Sequence, residues 1–251
     1  MADNLKLGKL PARPNAVKFK LRNYLAGTQA IKVPADFGHE EWTNPPISWG
    51  MYGNDVYGDC VIAGGAHEEV LWNRMGGRVI GFQTSDLLKD FSAITGQPPS
   101  ATVGADMQQA ASYRRSVGLL DASGVRRKIG AYLEISPGNL SELYTAMYLF
   151  GAVGIGIQFP TTAFDQFRRH KAWAVVSGAT IDAGHYIPAI ALRSNIVIVT
   201  WGRFQAMRPS FYSAYCDEAV AYVSPEALVA GKSPEGFDYA ALVNDLQALN
   251  G

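Results

Sequence analysis

Among 251 residues, the side chain best placed to act as a nucleophile is Cys60, in the run Gly58-Asp59-Cys60-Val61-Ile62-Ala63-Gly64-Gly65-Ala66. The turn glycine followed by small residues predicts a helix from Cys60 to about Arg74, stopped by Gly76-Gly77. A thiol at a helix amino terminus lies in the field of unpaired backbone N–H groups. That field favours the thiolate, which is the nucleophile of acyl transfer. The same place also suits a small buried hydrophobe opening a core helix. Position alone leaves both open.

A cysteine nucleophile needs a base, and the chain offers four histidines. His39 lies in a proline-rich connector, and His170 sits in the basic run Arg168-Arg169-His170-Lys171. His67 shares the face of Cys60 on the predicted helix, but roughly 10 Å along its axis, so it reads as structural. His185 stands in Ala183-Gly184-His185-Tyr186-Ile187-Pro188-Ala189-Ile190, directly before an apolar strand.

The elements that must position these groups fall in a clear order. Residues 1–47, punctuated by Pro11, Pro14, Pro34, Pro45 and Pro46, read as an extended arm and connector. Glycines inside the Cys60 helix cost about 1 kcal/mol each against alanine, so something must approach that backbone closely. The helix is therefore central. Further helices are expected at Ser85–Thr95 and Ala105–Ser116, then a strand at Lys128–Leu133. Asn139-Leu140-Ser141-Glu142 offers a capping box for a helix through Tyr148. Ala152–Phe159 alternates Val153, Ile155 and Ile157 against Gly154, Gly156 and Gln158, a strand period. Strands at Tyr186–Leu192, Ile196–Trp201 and Glu218–Val223 follow, and a helix near Tyr239–Leu249 closes the chain. Helices first and strands later make an α+β chain in two lobes rather than alternating βαβ.

Together these features resemble the papain-like cysteine peptidases, in which a glycine-rich turn delivers the cysteine onto the long central helix of the first lobe. The family's second lobe supplies the histidine, a small residue preceding it and an apolar strand following, as at Gly184-His185-Tyr186. Here the two lie 125 residues apart, close to the ~130–150 of that family. The resemblance runs collinearly over residues 48–223 and implies a helical lobe (48–127), an antiparallel β lobe (128–223) and a tail with a helix (224–251). It implies that Cys60 attacks a carbonyl and that His185 serves as base. The family's oxyanion glutamine, six residues before the cysteine, is replaced by Asn54, an amide one methylene shorter that also suits a turn at Gly53-Asn54-Asp55. The family's Asn-Ser-Trp-Gly becomes Val199-Thr200-Trp201-Gly202. Its orienting asparagine is thus Val199, with Thr200 able to take over the contact or the site running as a Cys-His pair. NlpC-type peptidases, whose histidine lies closer to the cysteine, fit less well. The segment Trp49–Cys60 is also similar to a papain-related group of bacteriophages and their hosts. This raises the alternative of a catalytically weak structural or accessory protein of a phage particle.

Composition excludes several classes. With 22 basic and 22 acidic residues the chain has no overall pull toward nucleic acid or anionic membrane. Residues 1–24 nevertheless carry a net +5 against −5 for the remainder. The arm therefore folds back on its own body or docks on an acidic partner, a virion component or a second copy. No apolar run approaches the ~20 residues of a membrane span, and the basic start lacks an apolar signal core, which implies a cytoplasmic or virion setting. Cys60 and Cys216 are expected as free thiols. No ligand spacing or phosphate-binding fingerprint appears, so neither metal nor cofactor is expected; the partner is a peptide or protein substrate.

Overall fold

The computed structural model describes residues 5–25, 31–38, 48–227 and 236–250. His39, Pro45 and Pro46 of the connector lie outside them. After a two-residue strand β1 (Phe37–Gly38) come the helices α1 (Cys60–Met75), α2 (Thr84–Thr95) and α3 (Met107–Ser116). A small hairpin, β2 (Leu119–Leu120) and β3 (Arg126–Arg127), leads to β4 (Ala131–Ile135), α4 (Leu140–Phe150), β5 (Val153–Pro160) and α5 (Thr162–Arg168). The chain continues as β6 (Ile181–Leu192), β7 (Ile196–Thr200), β8 (Arg203–Met207), α6 (Pro209–Tyr215), β9 (Cys216–Val223) and α7 (Tyr239–Asn250). This is the expected α+β arrangement. The strand expected at Lys128–Leu133 instead begins at Ala131, and β6 starts at Ile181, before His185.

One antiparallel sheet runs in the order β4-β9-β5-β6-β7-β8, with β1 added along the far end of β6. Because side chains alternate across a strand, the sheet serves two cores. Tyr186, Ile190, Val199, Val220 and Tyr222 pack with α1, α2 and α3. Ile155, Ile157, Ile187, Ala189 and Ala221 pack with α4, α5, α6 and α7.

Helix α1 is buried from Cys60 through Asn73. Its glycines have the cause expected of them: a methyl at Gly64 would lie 2.4 Å from the Tyr186 ring, and one at Gly65 would lie 3.3 Å from the Arg114 guanidinium. Around them sits a buried charge network. Arg114 Nη1 donates to Glu68 Oε2 at 2.6 Å, the Tyr186 hydroxyl donates to Glu68 Oε1 at 2.5 Å, and the guanidinium lies over the Tyr222 ring at 4.5 Å. Burial pushes Glu69, beside the same arginine, up to about 7.

Gly64→Ala should therefore destabilise the fold by roughly 1–3 kcal/mol through overpacking, against a helix-propensity gain of about 1 kcal/mol. Gly65→Ala should cost less. Urea unfolding of both variants measures this, and a more stable Gly64→Ala protein would mean that Tyr186 does not rest on the helix backbone.

Candidate active site

Cys60 opens α1, with the Asp59 carbonyl accepting the N–H groups of Ile62 and Ala63. Cys60 is 1% exposed, and the backbone N–H groups of Tyr186, from β6, and of Gly8, from the arm, lie near its thiol. Burial pushes the thiol up to about 12; these N–H groups and Lys9 oppose the shift without cancelling it. The thiolate expected from the helix terminus is therefore not the resting state. Loss of water outweighs the field of the helix in this arrangement.

His185 immediately precedes Tyr186 on β6, and its ring packs among aromatic side chains. It stacks on Trp201 at 4.4 Å with an 18° tilt, and the edge-on ring of Phe159 is 5.5 Å away. Its Nε2 is 2.8 Å from the hydroxyl of Thr200, at the end of β7. Its Nδ1 is buried without a hydrogen bond, so thiol and imidazole are not hydrogen-bonded to each other here. Burial pushes the imidazole down to about 3, and both groups rest neutral. The Trp201 indole is held over the ring by a two-residue turn, Trp201-Gly202, between Thr200 and Arg203. Both turn residues have positive φ (44° and 72°), as the tight hairpin requires. For a tryptophan this costs about 1 kcal/mol, offset by the aromatic contacts around it.

Cys60, Asn54, Thr200, Trp201 and His67 border one small cavity of about 10 Å³. The Asn54 amide donates to the Tyr57 carbonyl at 3.1 Å, as the turn reading of this residue requires. His67 Nε2 donates to the Trp49 carbonyl at 2.7 Å. His170 is exposed at the end of α5, beside Arg203. Cys60 and Cys216 are free thiols, and among the described residues no cluster of potential metal ligands occurs. Among the same residues no helix is long and apolar enough to cross a membrane.

The sequence contained no pointer to the seat of the arm. Residues 5–10 run through the cleft over Cys60. Gly8 and Lys9 donate their N–H groups to the Gly184 carbonyl at 3.1 and 3.0 Å. Across the cleft the Ala105 N–H donates to the Gly8 carbonyl at 2.8 Å, and the Leu10 N–H to the Ala105 carbonyl at 3.0 Å. The Lys6 N–H donates to the Asn54 carbonyl, and the Lys6 carbonyl accepts the Trp201 indole N–H at 3.2 Å. Gly8 passes so close to Gly58 that a methyl at residue 8 would fall 1.9 Å from the Gly58 carbonyl oxygen. Further along, Arg13 pairs with Asp106 at 2.6 Å and Lys20 with Glu134 at 3.6 Å, so part of the arm's positive charge is met by its own acidic body.

No protein-family model matches the chain, and no curated protein matches it in sequence. Solved structures do. Xylellain, a cysteine protease from Xylella fastidiosa, superposes with a TM-score of 0.63 at 11% identity, over 88% of this chain and 97% of that one. The procathepsin B S9 of Trypanosoma congolense gives 0.61 at 12% identity over 89% and 87%. The Carica candamarcensis cysteine protease CMS1MS2, solved in complex with E-64, gives 0.55 at 16% identity over 76% and 99%. The fold is papain-like. The α+β, two-lobed architecture is the one expected from the sequence, while similarity at this level of identity fixes architecture and not activity.

Asp59 adds a pH dependence to this site. Burial, eased by the Asn54 side chain, pushes its carboxyl from 3.8 up to about 8. Between these values the folded chain keeps a proton that the unfolded chain gives up. Asp59 therefore costs no stability below about pH 4 and progressively more up to about pH 8. Asp59→Asn should flatten the dependence of Tm on pH over that window, with its gain at pH 8 and none at pH 4. Parallel curves for the two proteins would show that Asp59 is ionised in the fold.

Proposed function

We propose that the protein is a cysteine peptidase or related amide hydrolase whose own residues 5–10 close the site. The observation that carries this reading is the arm itself, an extended peptide hydrogen-bonded to both walls of the cleft directly over the Cys60 thiol. A cleft that holds one peptide backbone in this way is suited to another.

When the arm lifts, water and substrate replace it, and the desolvation that keeps Cys60 and His185 neutral is relieved. His185 then takes the thiol proton as the sulfur attacks the substrate carbonyl carbon. It returns that proton to the leaving amine as the C–N bond breaks. A water molecule, deprotonated by the same imidazole, hydrolyses the thioester and regenerates the thiol. Thr200 holds Nε2, which leaves Nδ1 as the nitrogen available for proton transfer. The Cys60 N–H is the first oxyanion donor. Asn54 supplies a second once its amide turns from the Tyr57 carbonyl.

The competing reading, a papain-fold scaffold acting through assembly, draws on Val199 at the orienting position and on the engaged Asn54 amide. Against it, Lys9, Arg13 and Lys20 of the arm pair with carboxylates of the same chain, so arm removal is expected to destabilise the body rather than abolish association. Size-exclusion runs and melting curves of intact and arm-deleted protein separate the two outcomes.

Iodoacetamide labelling at pH 6–7 provides the chemical test. In the intact protein Cys60 should label slowly, and loosening the arm should accelerate it. His185→Ala should then slow that labelling and cut peptide hydrolysis by about 10²–10⁴, the usual size of a general-base contribution. Thr200→Val should cost less. Labelling and hydrolysis indifferent to His185 would exclude the Cys-His mechanism.

A further inference from the structure

One side chain of the arm is fully enclosed by the cleft. Lys9 has no exposed side-chain surface, although lysines are almost never fully buried unless paired. Its Nζ donates to Asp217 Oδ2 at 3.0 Å and to the Leu10 carbonyl at 3.0 Å, with Glu218 Oε2 at 3.7 Å. Room for its stem exists because β5 carries Gly156: a Cβ there would lie 2.0 Å from Lys9 Cε, with Met107 on the same side. The glycines that alternate with the apolar residues of β5 thus leave one face of the strand open beside the cleft. The far end of the pocket keeps an unused acceptor, since Asp217 Oδ1 is buried without a hydrogen bond.

We infer that this pocket, bounded by Gly156, Gly184 and Met107 and ended by Asp217 and Glu218, selects a basic side chain of the substrate, with Lys9 as the arm's occupant of it. This assignment rests on the peptidase reading for the word substrate, though not for the binding. Two carboxyl groups at the end of a narrow apolar channel reject an acidic residue and leave an apolar one with unpaired carboxylates beneath it. A guanidinium reaches both oxygens of Asp217 with its planar fork, so arginine should be held at least as well as lysine.

The experiment uses the full chain carrying Lys9→Glu, in which the arm meets like charge in the pocket, and reads the alkylation rate of Cys60. Without peptide, Cys60 should label at least tenfold faster than in the parent protein. Continued protection would overturn the proposal, because the pocket would then not discriminate by charge. Synthetic hexapeptides of residues 5–10, Leu-Lys-Leu-Gly-Lys-Leu and its versions with arginine or leucine at the fifth place, are then added. The lysine and arginine peptides should restore protection and the leucine peptide should not, a difference lost in Asp217→Asn/Glu218→Gln. Equal protection by all three, or a preference that survives removal of both carboxylates, would overturn it. A quenched peptide library incubated with the Lys9→Glu protein separates the two claims. Cleavage without a basic preference near the scissile bond removes this inference and keeps the peptidase. Selective protection without cleavage keeps the basic pocket and removes the peptidase.

Discussion

The structure depends on the contact between α1 and β6. A helix buried from Cys60 to Asn73 has no solvent face on which to place Glu68 and Glu69, and uncompensated carboxylates there would cost several kcal/mol. Arg114 from α3 and the Tyr186 hydroxyl from β6 meet that demand at Glu68, while Glu69 has only the Arg114 guanidinium at 3.5 Å, and Gly64 lets the Tyr186 ring close onto the helix backbone. The same tyrosine places its backbone N–H near the Cys60 thiol and follows His185 in the chain. One residue thus fixes the depth of the helix and the register of the strand. The charge network anchors both the helix that starts at Cys60 and the strand that carries His185.

The arm completes this arrangement at low dielectric. Covering the thiol removes water from both titrating groups, and burial shifts them in the directions that suppress an ion pair, the thiol upward and the imidazole downward. Closure is held by polar contacts distributed along the arm: backbone bonds to Gly184 and Ala105, Lys9 in its acidic pocket, and Arg13 on Asp106. The enclosed Lys9 pair is little screened by salt, whereas the more exposed Arg13 and Lys20 pairs weaken with it. High ionic strength therefore acts first on the outer part of the arm.

The orienting group departs from the asparagine of papain-like enzymes in a physically specific way. A hydroxyl both donates and accepts, so Thr200 fixes the direction of the His185 ring without imposing one tautomer, as a carbonyl oxygen would. The strained Trp201-Gly202 turn sets the indole against the imidazole and ends β7 with Thr200 facing it. Val199, the residue at the asparagine position, instead packs against the core beside α1.

Much of this was readable from local chemistry. The start of α1, its need for a close neighbour, the Asn139 cap of α4, the alternation of β5 and the apolar run of β6 follow from periodicity, capping and glycine cost, all of which act over a few residues. The short helices α5 and α6 and the strand β8 were missed. Pro209 at the first turn of α6 was a usable signal, whereas the seven residues of α5 carry little. Only the tertiary structure decided the burial of Cys60, the contact between Thr200 and His185 and the seat of the arm. The net +5 of residues 1–24 signalled attraction, but attraction between charges has no address along a chain. The partner of Lys9 lies 208 residues away and becomes its partner only when the fold has carved the glycine-lined space between them.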